Sequence, residues 1–565
     1  MPHCLSILQV FNSSILQPSH RCLSLLQFFK SSILQFFFLA ALVFHHSGLY
    51  GQESPPNILW LSVEDMSPRL GCYGDSTVAT PNINRLAREG VRYANAFSTA
   101  GVCAPSRCAI ITGMYQTSIG GHNMRTFNIY PEVQGVPKNY SIVPPAYVKA
   151  FPEYLRMKGY YCTNNVKTDY QFIAPPTVWD ENSNKAHYKD RAPGQPFFAI
   201  FNSTITHESQ VWTRSDHPLR VNPADVTVPP FYPDTDSVRR DIARFYSNIS
   251  EMDDWVGEKL QELEASGELD NTIIFFWSDH GDGLPFYKRE ITDRGMKSAL
   301  IIRYPDGRQA GMVVNDLVSL VDLGPTVLSM AGIKPPEHLQ GQAFAGKYKA
   351  KKPRSYVYGA RDRMDIPVDR VRSVRDHRFR YVRNFHPELP AYQDIPYRLQ
   401  QPLMREIIRY RDQGKLNAVQ QQWFEAPRAA EEFFVIDQDP YELNNVASDP
   451  KYRKELARMR KAMDRWLEET DDKGRIPEPQ LLRQMWNGKD EPPVTSDPVI
   501  TSNNGMTTIH CATPGASIGY QLLGKGESPS TRWQVYTGPF QSGESRVIAI
   551  AQRIGYVLSD SVTVE

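Results

Sequence analysis

Three things are scarce in this 565-residue sequence, and each scarcity excludes something. Cysteine comes first: of seven, Cys4 and Cys22 fall in an N-terminal leader, which leaves Cys72, Cys103, Cys108, Cys162 and Cys511. Five are too few for a dense disulfide framework, and an odd set in an oxidising compartment implies at least one thiol with another fate. Excess charge is missing too: 63 basic and 62 acidic side chains leave a net charge of +1, which argues against nucleic acid as a partner. Nor is there an apolar run long enough for a stable membrane span. The longest, "FFFLAALVF", follows Arg21 and Lys30 and gives way to small and polar residues. Residues 1–51 therefore read as a signal peptide, and the protein as exported, either periplasmic or secreted.

What is present begins at Asn57, where strand-like and helix-like segments alternate. "NILWLSVED" is a compact β-branched and aromatic run ending in two acids. "TPNINRLAREG" carries a helix signature, with Thr80 as N-cap, Pro81 in the first turn and Gly90 as the stop. The longest helix is predicted from Asp236 onward, with Ile242, Phe245, Ile249, Met252, Val256, Leu260 and Leu263 on one face. It runs into "NTIIFFWSDHG", a buried-strand pattern that again ends in charge. This alternation predicts an α/β domain with a largely parallel or mixed sheet. Glu64-Asp65 and Asp279-His280 then stand just past the ends of two buried strands, where open α/β sheets build their sites.

Residues 54–353 form this first unit, and a smaller α+β subdomain is expected over 354–486. It includes the alternating "RFRYVRN" and the amphipathic helix "DPKYRKELARMRKAMDRWLEE". A linker over 487–498 leads to short alternating runs over 499–565, which read as a small all-β sandwich. That segment, with "CATPGASIGYQ" and "VYTGPF", resembles the Ig-like module that closes some chitobiases and hexosaminidases. Its role is either that of a spacer or that of a sugar-binding module.

The stretch "CAPSRCAIITG" carries the chemistry. Pro105 suits a first helical turn and Gly113 ends the helix, so Cys103 lies at a helix N-terminus that favours anionic ligands. Arg107, four residues on, rises on the same face. With the acidic pair and "TPNINRLAREG" upstream, and "SDHG", "VDLGPTVLSMAGI" and "FFVIDQDPYELNNVASDP" downstream, the chain resembles the type I sulfatases over roughly residues 55–470. These belong to the alkaline-phosphatase-like superfamily, and the wording is nearest to sulfatases of polysaccharide-degrading bacteria, with sulfamidase a more distant relative. The resemblance implies an alkaline-phosphatase-like mixed central sheet flanked by helices. It also implies hydrolysis of sulfate esters, or N-sulfates, of a sulfated carbohydrate.

In that family the first cysteine of C-x-P-S-R becomes formylglycine (3-oxoalanine), made by a formylglycine-generating enzyme. The resemblance makes Cys103 that residue. One hydroxyl of the hydrated aldehyde attacks sulfur, and loss of the other's proton expels sulfate, which a thiol cannot do cleanly. By the same resemblance Glu64, Asp65, Asp279 and His280 hold a divalent cation together with the modified Cys103. Carboxylates favour Ca2+, while the imidazole shifts the expectation toward Mn2+ or another divalent ion. The family usually shows two aspartates in place of Glu64-Asp65 and asparagine in place of His280. Lys167, His207 and Lys288 match sulfate-contacting residues, with His207 also the proton donor to the leaving oxygen. Asp169 stands where the family has a histidine; if the segment is extended it lies on the same side as Lys167, and it either accepts a proton or orients a neighbour. His122 and Arg125 are expected at the substrate entrance. The arginines of "ARDRMDIPVDRVRSVRDHRFRYVRN" either meet anionic groups of a polymer or form the solvated face of an edge strand. Two other functions stay open: a phosphodiesterase or phosphonate hydrolase of the same superfamily, and a non-catalytic sulfated-glycan-binding protein.

Overall fold

A computed structural model describes residues 55–130 and 132–564, so the leader lies outside the described residues. Its main sheet has nine strands. In chain order these are β1 (Asn57–Val63), β2 (Val91–Phe97), β3 (Tyr161–Asn165), β4 (Glu181–Asn182), β5 (Phe197–Ser203), β6 (Thr272–Ser278), β7 (Lys297–Ser298), β8 (Leu300–Arg303) and β9 (Val313–Ser319). They lie side by side in the order β4-β3-β5-β1-β6-β8-β2-β7, with β9 also paired to β2. The pairs β3·β5, β5·β1 and β1·β6 are parallel, whereas β8 runs antiparallel to β6 and β2. The sheet is mixed, as expected of the family.

Both faces of the sheet are covered, which is why its strands read as continuous apolar runs. Alternate residues of β1 serve opposite layers: Leu59, Leu61 and Val63 pack into one core, Ile58 and Trp60 into the other. The first core is closed by the helix Asp236–Ala265, whose seven predicted face residues are all buried. The helix Pro81–Glu89 begins and ends where the sequence predicts, yet Thr80 makes no side-chain cap; its hydroxyl accepts from the Gly71 N–H instead.

A second, antiparallel sheet of four strands spans Val357–Arg361, Val371–Arg375, Phe379–Asn384 and Glu431–Val435. The helix Arg453–Glu469 packs on it through Leu456, Met459, Met463 and Trp466. Here one expectation is corrected. Phe379–Asn384 is an interior strand, paired on both sides; its Arg380 is sealed among acids, and its part-exposed Arg383 is paired with Asp464. Arg372 reaches Asp362 and Asp472 at 2.9 Å each, and Arg380 reaches Glu442 at 2.6 Å and also Asp293. Arg361 binds Glu290 and Asp369, and Arg363 binds Glu478 at 2.5 Å. The alternation came from arginines paired with acids brought from distant loops, which spacing along one strand cannot reveal.

The last stretch forms a three-stranded and a four-stranded sheet facing one another around Ile509, Val547 and Ala549. It is joined closely to the main body. Ser517 Oγ donates to Glu153 at 2.5 Å, Arg553 donates to the Pro144 carbonyl at 3.1 Å, and Ile554 lies in the core beneath the main sheet. Gly555 has φ of +84°, and a Cβ there would lie 2.2 Å from the Ile142 carbonyl. The five described cysteines are all free, so the odd count does not resolve into pairs. No helix among the described residues is long and apolar enough to cross a membrane.

Candidate active site

Four neighbouring parallel strands, β3, β5, β1 and β6, end at one edge of the main sheet. In register, Val63 stands opposite both Ser203 and Ser278. The residues that follow these ends are therefore gathered in space: Lys167 after β3, His207 and Glu208 after β5, Glu64 and Asp65 after β1, Asp279 and His280 after β6. The helix Cys103–Thr112 points its N-terminus at the same edge; all ten of its residues are buried, and Gly113, at φ of +65°, supplies the left-handed turn that ends it. Val102 at its N-cap offers no side-chain hydrogen bond, which leaves the first-turn N–H groups to an anion. Ser106 Oγ donates to the Asp279 carbonyl at 2.6 Å and so fixes the helix against the end of β6.

Asp65, Cys103, Asp279 and His280 converge, with one ligand atom from each lying within 4.8 Å of all the others. His280 Nδ1 is 2.9 Å from the Gly281 carbonyl, which can only accept, so Nδ1 carries the proton and Nε2 presents a lone pair. That lone pair faces Asp65 Oδ1 at 3.0 Å and Cys103 Sγ at 3.3 Å, with Asp279 Oδ1 at 3.7 Å. Acceptors pressed together in a fully buried place require a cation or a proton among them. The donor set thus fits a divalent ion. Glu64 is not one of the four; Lys167 Nζ lies 2.6 Å from its carboxylate and Arg107 Nη2 lies 3.6 Å away.

Cations ring the cluster. Arg107 Nε donates to Asp279 Oδ2 at 2.9 Å, and its other nitrogens reach Asn202 and Ser62. Lys288 Nζ is 2.6 Å from Asp65 Oδ2 and 3.0 Å from Glu208 Oε1. Burial works against the Asp65 carboxylate, but the Lys288 ammonium leads the charges that outweigh it and hold its pKa well below the ordinary value. Burial likewise opposes the Lys288 cation, and Asp65, Cys103 and Glu208 overcome it, raising the ammonium's pKa. For the Cys103 thiol, burial comes first and pushes the pKa well up, with Asp279 and Asp65 adding to it. An unmodified Cys103 is a poor nucleophile here. Burial, then Lys288, lowers the pKa of His207, whose Nδ1 is 2.8 Å from Ser209 Oγ and whose Nε2 is 4.0 Å from Asp65 Oδ2.

The structure brings ten of the twelve expected site residues to this edge. Lys167 and Asp169 do meet, at 3.1 Å, but through a turn rather than an extended segment: Asp169 has a φ of +50°. His122 is buried, and no polar contact among the described residues joins it to the cluster. Arg125 turns toward Asp365, 2.6 Å away. Sequence reasoning missed Glu208 and Arg289, which form a bidentate pair at 2.8 and 2.9 Å across 81 positions, with Glu208 also reaching Lys288 at 3.0 Å. Their only signal was adjacency to His207 and Lys288.

Comparison with known proteins agrees with this geometry. The sulfatase family pattern matches residues 56–333, and that of the N-sulphoglucosamine sulphohydrolase C-terminal region matches 281–402. An ulvan-active sulfatase from Formosa agariphila is 46% identical over 545 residues, covering 90% of this chain and 91% of that protein. Human N-sulphoglucosamine sulphohydrolase is 26% identical over 475 residues, covering 74% and 91%. A solved structure of a protein in complex with its substrate D-glucosamine-2-N,6-O-disulfate shares the fold, with a TM-score of 0.52 at 18% identity over 75% of this chain and 99% of that one. The cluster at the strand ends and the extent of these matches lead to one assignment: the chain belongs to the sulfatase family and is a sulfuric-ester hydrolase.

Proposed function

We propose that this sulfatase is exported and removes sulfate from a sulfated polysaccharide or its fragments. The observation that carries the reading is the convergence of Asp65, Cys103, Asp279 and His280 within a ring of Arg107, Lys167 and Lys288. The identity to an ulvan-active sulfatase supports a sulfated polysaccharide as substrate class. We read residues 54–353 as the catalytic domain, 354–486 as its subdomain, 487–498 as a linker and 499–565 as a spacer module.

In this reading a formylglycine-generating enzyme converts Cys103, and the hydrated aldehyde supplies an oxygen nucleophile where the thiol stood. Asp65, Asp279 and His280 would hold the dication with that oxygen, and Glu64 stands beside them. Carboxylates favour calcium and the imidazole favours manganese, a choice that metal analysis of the purified protein decides. When bound, the ion acidifies the nucleophile and offsets the charge of the sulfate. The remaining work falls to the chain itself. Lys288, Lys167 and Arg107 meet the sulfate oxygens and stabilise charge as it builds on them. Glu208 and Arg289 keep Lys288 in place, and Asp169 orients Lys167. His207, its Nδ1 bonded to Ser209, gives a proton to the departing alcohol oxygen; a lowered pKa makes its imidazolium the stronger acid.

The test is mass spectrometry of the peptide containing residue 103, followed by sulfate release from a panel of sulfated saccharides. An ordinary thiol in protein that hydrolyses at full rate overturns the mechanism. The imidazole of His280 in the cluster favours a second reading, a phosphodiesterase or phosphonate hydrolase. Faster turnover of an aryl phosphodiester than of the matched aryl sulfate would put that reading first.

A further inference from the structure

Outward from the Cys103 cluster runs one chain of contacts. His207 Nδ1 is bonded to Ser209 Oγ, and the Ser209 hydroxyl lies beside the phenol of Tyr397. Tyr397 also packs near Val102, the residue before the nucleophile, and Trp212 meets its ring edge-on at 5.3 Å. Burial and then the Glu208 charge raise the pKa of the Tyr397 phenol. On this ring sits Arg125, its guanidinium carbon 5.8 Å from the centroid. Arg125 therefore stands one aromatic ring beyond His207.

Its surroundings fix it and aim it outward. Arg125 has φ of +66°, and Arg363, locked to Glu478, donates to the carbonyls of both Arg125 and Asp365. Asp365 takes the Arg125 Nε at 2.6 Å, while the two terminal nitrogens have no partner among the described residues. The acids of this group are covered, with side chains 5% and 10% exposed for Asp365 and Glu478, whereas that of Arg125 is 31% exposed. What Arg125 leaves unpaired among the described residues is thus a pair of parallel N–H donors, part-exposed over an aromatic platform. Parallel donors call for two acceptor oxygens on one group.

We propose that Arg125, Tyr397 and Trp212 form a subsite for the sugar adjoining the sulfated one, and that Arg125 binds an oxyanion, carboxylate or sulfate, carried by that sugar. The proposal rests on the sulfatase reading of the Cys103 cluster. The experiment compares matured wild-type protein with Arg125→Ala and Arg125→Lys on four substrates: an aryl sulfate and three sulfated disaccharides. The disaccharides carry a neutral neighbour, a uronate neighbour and a second sulfate. Arg125→Ala is expected to lower kcat/KM on a charged disaccharide about 10- to 100-fold more than on the aryl sulfate or the neutral disaccharide. Whichever charged neighbour shows the larger loss identifies the oxyanion. Arg125→Lys keeps the charge over Tyr397 and recovers only part, because an ammonium cannot make the paired bonds. An equal loss on all four substrates, or none on any, overturns the subsite. No sulfate release by wild-type protein from any substrate overturns the sulfatase reading instead, and is told apart by that.

Discussion

Arg372 and Asp279 are both sealed from solvent, yet the company they keep differs in kind. In the second sheet each buried arginine has carboxylates of its own, as Arg372 has Asp362 and Asp472. At the ends of β1 and β6, carboxylates are driven toward one another and toward an imidazole and a sulfur atom. In the first arrangement each cation meets its counter-charge within the chain. The second, in the proposed function, is completed by a cation and an anionic substrate. Charge count alone does not separate them; what does is whether acceptors face donors or face other acceptors.

Single substitutions break this contrast most sharply at the site. Asp279→Asn is expected to lower sulfate release by about 10,000-fold, since it weakens a carboxylate proposed to hold the metal and one Arg107 partner. Its melting temperature should stay within a few degrees, because relieving crowded acceptors offsets the lost ion pair. Parallel activity and melting measurements check both halves. Arg372→Ala should do the reverse, costing about 3–5 kcal/mol of stability by stranding Asp362 and Asp472, with kcat of the protein that remains folded unchanged. Denaturant titration and active-site-normalised rates decide it. For Arg372→Ala, a catalytic loss without destabilisation would dissolve the distinction.

The smallest effect concerns a third kind of buried acid. Among the described residues Asp241 has no cation at bonding distance and accepts only the Leu403 N–H, and burial raises its pKa to about 7. The folded state then holds a proton that the unfolded chain releases near pH 4, so stability falls as pH rises from about 4 to about 7. Asp472 runs the other way: burial opposes its charge, but Arg372 and Arg370 hold its pKa well below the ordinary value. Its stabilisation is complete above about pH 4 and is lost only as pH drops through that lowered value. Asp241→Asn should remove a slope of about 1–3 kcal/mol between pH 5 and 8 and leave the lattice contribution flat. Melting curves across that range test it, and an unchanged slope would assign the effect elsewhere.

Much of the site was legible in advance because it lies where local patterns end. Apolar runs stopping at Glu64-Asp65 and Asp279-His280 mark strand ends without any knowledge of pairing. The helix bearing Cys103 announces itself through Pro105 and Gly113. The arginine lattice was misread for the opposite reason, since Arg372 acquires its meaning from Asp472, 100 positions away. Glu208 and Arg289 were missed on the same ground. Arg125 was expected at the entrance, but its bond to Asp365 lies 240 positions off and no spacing foretells it.

The seating of Ile554 beneath the main sheet, with Arg553 tied to Pro144 across 409 positions, sets a timetable for this protein. The wall beside Pro144 is completed only by residues made 409 positions later. Until they arrive, the surface around Ile142 stays open to proteases and chaperones, and chains interrupted before residue 553 should be cleared rather than accumulate as active fragments.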